Sequence, residues 1–155
     1  MSREFLPGQV IAYPYLWAWQ HERGETEGRK GRPTCVVVAL RGAKDGLTHL
    51  ALLAITTQPP QADRVALEVS DIECRRAGLA DFKRCWIVVD EYNYDVAERS
   101  WYIEPEATTL GRFSKAFMMK IAAAFAGARH AGRHVSRLDR RLRSLSTHAP
   151  SNVLT

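Results

Sequence analysis

No apolar run in this sequence is long enough to span a bilayer. The opening residues, M-S-R-E-F-L-P-G, lack the apolar stretch of a signal peptide, so the expectation is a cytoplasmic protein without a membrane contact. Cysteine is scarce. Cys35, Cys74 and Cys85 are odd in number and show no C-x-x-C spacing, which argues against a zinc site or a disulfide framework. No histidine shares a motif with any of them. Cys35 in T-C-V-V-V and Cys85 before W-I-V-V therefore read as small buried apolar residues rather than nucleophiles. There is no internal repeat, and helical patterns do not alternate with strand patterns, which disfavours a doubly wound α/β fold. No metal site and no cofactor are expected.

What remains is one domain's worth of chain, 155 residues with 46% hydrophobic and 25% charged side chains. The net charge of +5 and a sequence pI near 9.4 favour polyanionic partners such as RNA, DNA or an acidic protein. The charge is uneven: Arg129, Arg133, Arg137, Arg140, Arg141 and Arg143 crowd the C-terminal end. A basic tail alone would produce such a balance.

Gly8 to Tyr15 reads as a first strand after a Pro-Gly turn, and Tyr13, Tyr15, Trp17 and Trp19 continue it at period two with one aromatic face. Gln20 to Gly31 is polar, glycine-punctuated and without apolar periodicity, hence a mobile loop. Thr34 to Leu40 and Leu47 to Thr56 are buried strands joined by a turn over Gly42 to Gly46, with Asp45-Gly46 as the hairpin signal. Short strands follow at Val65 to Val69, Cys85 to Asp90 and Trp101 to Ile103. Between them, Asp71 to Gly78 predicts a helical turn capped by Ser70 or Asp71 and ended by Gly78. Ser114 caps a helix whose one face carries Phe117, Ile121, Ala124 and Phe125, weakened or ended by Gly127. Val135, Leu138, Leu142 and Leu145 recur at helical spacing among arginines, a second and amphipathic helix, and Thr147 to Thr155 reads as disordered. The fold class is mainly β with a C-terminal helix, a small and strongly curved barrel over residues 1–127, followed by a basic extension over 128–155.

Two segments carry the chemistry: G-R-P-T-C-V-V-V-A-L from Gly31 and L-L-A-I-T-T-Q-P-P from Leu52. Hairpin strands run antiparallel, so Arg32 at the start of one and Thr56 at the end of the other meet at the same rim. A guanidinium can hold a phosphate with two parallel hydrogen bonds, and the hydroxyls beside it donate to non-bridging oxygens. RNA supplies its own nucleophile, the ribose 2′-hydroxyl. Its cleavage needs a proton acceptor, charge stabilisation on the phosphate and an acid for the leaving oxygen, and no metal. Arg32 and Thr56 serve the phosphate in this reading, while Glu27 and His21 are both open as the base. Each has a plainer reading: Arg32 as a surface arginine at a strand start, Thr56 and Thr57 as backbone partners, Glu27 as a solvated loop charge, His21 as rim packing.

These segments together resemble the MazF/PemK/Kid toxins. G-Q-V-I-A-Y from Gly8 looks like the family's first strand, and T-E-G-R-K-G-R-P-T-C-V-V-V from Thr26 its first loop, with Glu27 and Arg32 on the motif's glutamate and arginine. Ala54 to Thr57 matches the strand end [AP]-[IV]-T-[ST], and Val88-Val89-Asp90-Glu91 with Asp95 is similar to its later acidic strand end. The resemblance spans roughly residues 8 to 127. It implies an SH3-like, CcdB/PemK-like barrel and a homodimer that cleaves single-stranded mRNA at specific sequences. It also implies a cognate antitoxin whose flexible acidic tail covers the dimer groove. Arg32, Thr56 and Glu27 would be catalytic; His21, Arg29, Lys30, Thr57, Gln58 and Asp90 would contact substrate. The first loop is longer than the family's, Val88 stands where some members carry arginine, and the basic extension exceeds the usual length. Two other functions compete: a gyrase-binding inhibitor of the same fold, as in CcdB toxins, and a nucleic-acid-binding barrel without catalysis.

Overall fold

A computed structural model describes residues 4–28, 31–103, 109–128 and 133–138. The two β-branched, apolar runs form its longest strands, β2 (Arg32–Arg41) and β3 (Thr48–Thr56). They pair antiparallel from Arg41↔Thr48 to Thr34↔Ala54. The turn between them is held by Asp45, whose Oδ1 accepts from Leu47 N–H at 2.9 Å. A register shift between Val36 and Val38 inserts one extra residue in β2. Val37 and Val38 consequently pack against the same apolar cluster.

β1 (Gln9–Tyr13) lies along the outer edge of β2, with β7 (Gly111–Arg112) beyond it. The other edge of β3 is divided. Its first half, His49 to Leu52, pairs with β6 (Glu91–Val96). Its last two residues pair with β5 (Trp86–Val88), flanked in turn by β4 (Ala66–Glu68). β8 (Arg133–Ser136) runs parallel to β6. Among the described residues these eight strands form one open sheet, antiparallel apart from the β6–β8 pair. The fold is mainly β with helices, as the pattern of short strands followed by a terminal helix predicts.

Residues 50–55 of β3 are all buried, because both sheet faces are covered. On one face Cys35, Leu53 and Ile55 pack with Cys74 and Ala77 from α2 (Asp71–Arg76) and its C-terminal turn, and with Ile121 and Phe125 of α3 (Lys115–Ala128). On the other, Ile11, Tyr13, Val36, Leu52 and Ala54 pack with Phe5, Tyr15 and Ile103. Ser70 caps α2 as its sequence predicts, accepting from Glu73 N–H. Gly78 takes φ +76°, and any side chain there would collide with the Leu110 carbonyl.

The Ser114 hydroxyl accepts from Phe117 N–H at 3.1 Å at the start of α3. Glu73 reinforces this end, accepting from Ser114 N–H at 2.8 Å and from its hydroxyl at 2.6 Å. A carboxylate there also faces the positive end of the helix dipole. Replacing Glu73 by alanine is expected to destabilise the fold by about 1–2 kcal/mol. The urea midpoint reads this directly, and an unmoved midpoint would show that the cap contributes nothing.

Several expectations are corrected. The aromatic alternation does not continue as a strand: Pro14 has no N–H to donate, β1 ends at Tyr13, and the chain turns. Trp17 then precedes α1 (Ala18–Glu22), so the segment after Gln20 begins as helix rather than loop. Gln20 fixes that start, its Oε1 accepting from Trp17 N–H at 3.0 Å. Residues 101–103 bend around Ser100, whose Oγ accepts from the N–H groups of Tyr102 and Ile103, and form no strand. Gly127 is the last residue but one of α3, at the end of the helix as described. Val135 belongs to a strand, not a helix, because β6 offers it a free edge, and the sheet thereby runs past residue 127. Leu142, Leu145, Arg129, Arg140, Arg141, Arg143 and the stretch 147–155 lie outside the described residues. No helix among the described residues is long and apolar enough to cross a membrane.

Candidate functional site around Arg32

Arg32 opens β2, backbone-paired with Tyr13 at the end of β1. Its side chain is half-buried, with the guanidinium carbon 5.3 Å from the Trp17 ring centroid. That stacking is a favourable cation–π contact. Burial lowers the Arg32 pKa, and the Tyr15 hydroxyl opposes the shift. A guanidinium nonetheless stays protonated at neutral pH. Among the described residues no carboxylate forms an ion pair with Arg32. A partly dehydrated cation without a counter-ion is a ready receptor for an anion, and its planar fork suits a phosphate.

Thr56 lies at the same end of the hairpin. The β2–β3 ladder stops at Thr34↔Ala54, and Arg32 and Thr56 are each two residues further along. The Thr56 hydroxyl oxygen accepts from Gln58 N–H at 3.1 Å, a local turn that leaves its proton without an acceptor among the described residues. Thr57 and Gln58 are exposed beyond it.

The segment expected to be a mobile loop is anchored. Glu25 N–H donates to the Gln20 carbonyl at 3.0 Å. The Tyr102 hydroxyl donates to the Thr26 carbonyl at 3.3 Å. Gly28 sits against the Pro14 and Tyr15 carbonyls, where a Cβ would clash. Glu27 stands exposed between these last two anchors. His21 is exposed on α1 four residues after Trp17, whose carbonyl accepts from its N–H at 3.0 Å. Arg29 and Lys30 lie outside the described residues.

Asp90, expected to contact substrate, is turned inward. Arg64 grips it through Nε and Nη2, with the shortest bond 2.7 Å, and the same Nη2 reaches Glu91 at 2.7 Å. Val65 N–H and Arg133 Nη1 complete its shell at 2.9 and 3.3 Å. Burial acts to raise the Asp90 pKa, but these hydrogen bonds and the two arginine charges outweigh it and hold the carboxyl below its usual value. With its oxygens so engaged, Asp90 is a structural anion.

The residues that support the site escaped sequence reading. Trp17 carries the Arg32 guanidinium, although they are fifteen positions apart and no local pattern joins them. Tyr15 and Tyr13 donate to the buried carboxylates Glu91 and Asp95 at 3.1 and 2.8 Å. Burial pushes both phenols up, and the neighbouring carboxylates add to it. Burial likewise raises the Asp95 carboxyl, against hydrogen bonds from Ser100 and Tyr13. Among the described residues no group of three His, Cys, Asp or Glu side chains is placed to hold a metal ion. No protein-family model matches this chain, nor does any curated protein or solved structure.

Proposed function

We propose that this protein is an endoribonuclease cleaving single-stranded RNA, acting as the toxin of a toxin–antitoxin pair. The observation that carries the reading is Arg32: a half-buried guanidinium seated on an indole, without a carboxylate partner among the described residues, at the hairpin end that also bears Thr56. Arg32 would hold the scissile phosphate and balance the charge that develops on its oxygens, with Thr56 donating one further hydrogen bond. The ribose 2′-oxygen attacks phosphorus as its proton passes to Glu27 or His21. The bond from phosphorus to the 5′-oxygen breaks and that oxygen takes up a proton from solvent water, leaving a cyclic phosphate and a free 5′-hydroxyl. Trp17 lies against Arg32 and suits an unstacked base, which single strands expose and duplexes hide.

The finer architecture is part of the same proposal. A β3 strand shared among β2, β6 and β5, with a bulge in β2, favours a strongly curved, SH3-like barrel of the CcdB/PemK kind. A homodimer and an acidic antitoxin segment, drawn to a chain of net charge +5, complete the picture.

The test is incubation of purified protein with a long single-stranded RNA in EDTA, mapping the cut ends. Discrete cuts bearing 5′-hydroxyls support the nuclease. Intact RNA in the presence of well-folded protein removes it and leaves a binding protein.

A further inference from the structure

The position of Trp17 under Arg32 is set by residues far from both in sequence. After β1 the backbone of residues 14–16 is held from beneath by two buried side chains. Asn93 is fully buried on β6 and takes both backbone groups of Leu16: its Oδ1 accepts from Leu16 N–H at 2.9 Å and its Nδ2 donates to the Leu16 carbonyl at 2.7 Å. Arg137, just past β8 and only 3% exposed, donates from Nη1 to the Pro14 carbonyl at 2.7 Å and to Asn93 Oδ1 at 3.2 Å. Its guanidinium lies 3.9 Å from the Tyr102 ring centroid and 5.4 Å from that of Tyr13.

Stability alone does not explain this arginine. Among the described residues it forms no ion pair, and its Nη2 has no hydrogen-bond partner. The buried Asp95 carboxyl feels its charge without touching it, and with one nitrogen unbonded the guanidinium is still costly relative to an apolar side chain of similar volume. Its contacts converge instead on the two supports of the arginine site. Through Pro14 and Asn93 it fixes the backbone leading directly into Trp17. Through Tyr102, which also bonds the Thr26 carbonyl, it reaches the segment that carries Glu27.

We propose that Arg137 is a positioning residue of the Arg32 site, setting where Trp17 and the Glu27 segment stand against the guanidinium. β8 would then be a working part of the site rather than a basic appendage. The proposal rests on the reading of Arg32 as the group that holds the phosphate.

Its test uses the full chain as Arg137→Gln, Arg137→Lys and Tyr102→Phe, with two readouts. The first needs no RNA: the Arg32 Nε–H resonance in 15N-labelled protein, which the Trp17 ring current displaces. The second is the division of RNA cleavage between kcat and KM. Arg137→Gln should move the Arg32 resonance toward the position of a free arginine. It should lower kcat about tenfold to a hundredfold with KM little changed, the usual effect of a small misplacement. Tyr102→Phe keeps the ring and loses only the bond to Thr26, so the resonance should stay while kcat falls. A folded Arg137→Gln with both readouts unchanged overturns the proposal, even if its melting temperature drops. Should that variant fail to fold, Arg137→Lys decides on the same readouts, since it keeps charge but not the planar stack. A wild-type chain that cuts no RNA removes the nuclease reading alone, and the resonance still decides the positioning.

Discussion

The Arg32→Ala variant is expected to fold and to lose RNA cleavage by about a hundredfold to a thousandfold, the range for removing one donor to a developing oxyanion. The separation between folding and activity follows from the environment of Arg32. Among the described residues its removal strands no carboxylate. What is lost structurally is the contact with Trp17, about 0.5–1 kcal/mol for a half-exposed stack. Arg32→Lys should recover part of the activity, because it restores charge but not the two-donor fork. Cleavage at the wild-type rate by a folded Arg32→Ala protein would refute the assignment.

Arg64→Met is expected to be the most destabilising of the substitutions considered, by about 3–5 kcal/mol, out of a total that is about 5–15 kcal/mol for a domain. Among the described residues Arg64 alone bridges the buried carboxylates Asp90 and Glu91, and its own pKa is raised, first by the hydrogen bonds to Asp90. Arg133 still reaches Asp90 in the variant, and the Arg64 side chain is 22% exposed, which places the effect toward the lower end. The pH dependence should change sign. In the wild type the folded Asp90 pKa lies below its unfolded value of about 3.9. Its contribution to stability is therefore present above that pH and lost as pH falls through the folded pKa. Without Arg64 the effect of burial prevails and the folded pKa rises, so this carboxyl favours folding more as pH drops. Urea midpoints at pH 7 and near pH 4 measure both effects. Equal midpoints for the two proteins at pH 7 would remove the network from any account of stability.

The parts of this fold that were legible in the sequence are those where side-chain polarity agrees with burial. Thr34 to Leu40 and Leu47 to Thr56 read as strands because nearly every residue is apolar or β-branched, and the Asp45-Gly46 turn set their pairing. The Ser70 cap and the Phe117–Ile121–Phe125 face of α3 obeyed the same logic. β6 escaped because its alternation is inverted: Glu91, Asn93 and Asp95 point inward while Tyr92 and Tyr94 are half-exposed. Each inward polar group has a partner remote in sequence, Tyr15 for Glu91, Leu16 for Asn93 and Tyr13 for Asp95, and these partners help make its burial tolerable. β8 escaped because Val135 and Leu138 fit helical spacing, and the edge that makes a strand of Arg133 to Ser136 lies 42 residues earlier, as Glu91↔Arg133 shows. At the site, antiparallel pairing made the common location of Arg32 and Thr56 legible from sequence. The indole under the guanidinium and the inward turn of Asp90 were not, since both depend on contacts that no local pattern encodes.

The parallel pairing of β8 with β6 also has a consequence for the order of events during synthesis. Chains emerge N-terminus first, and the antiparallel hairpin of β2 and β3 closes over a short turn. The bond between Pro14 and Arg137 instead joins residues 123 positions apart, and the one between Asn93 and Arg137 spans 44. Translation must pass residue 137 before the backbone ahead of Trp17 acquires its last support. A nascent or prematurely terminated chain can thus hold most of its sheet while this corner remains untethered. A ribosome still decoding the message for this protein is accompanied by a product whose Arg32 corner is unfinished, and a stop codon shortly before position 137 would leave it permanently so.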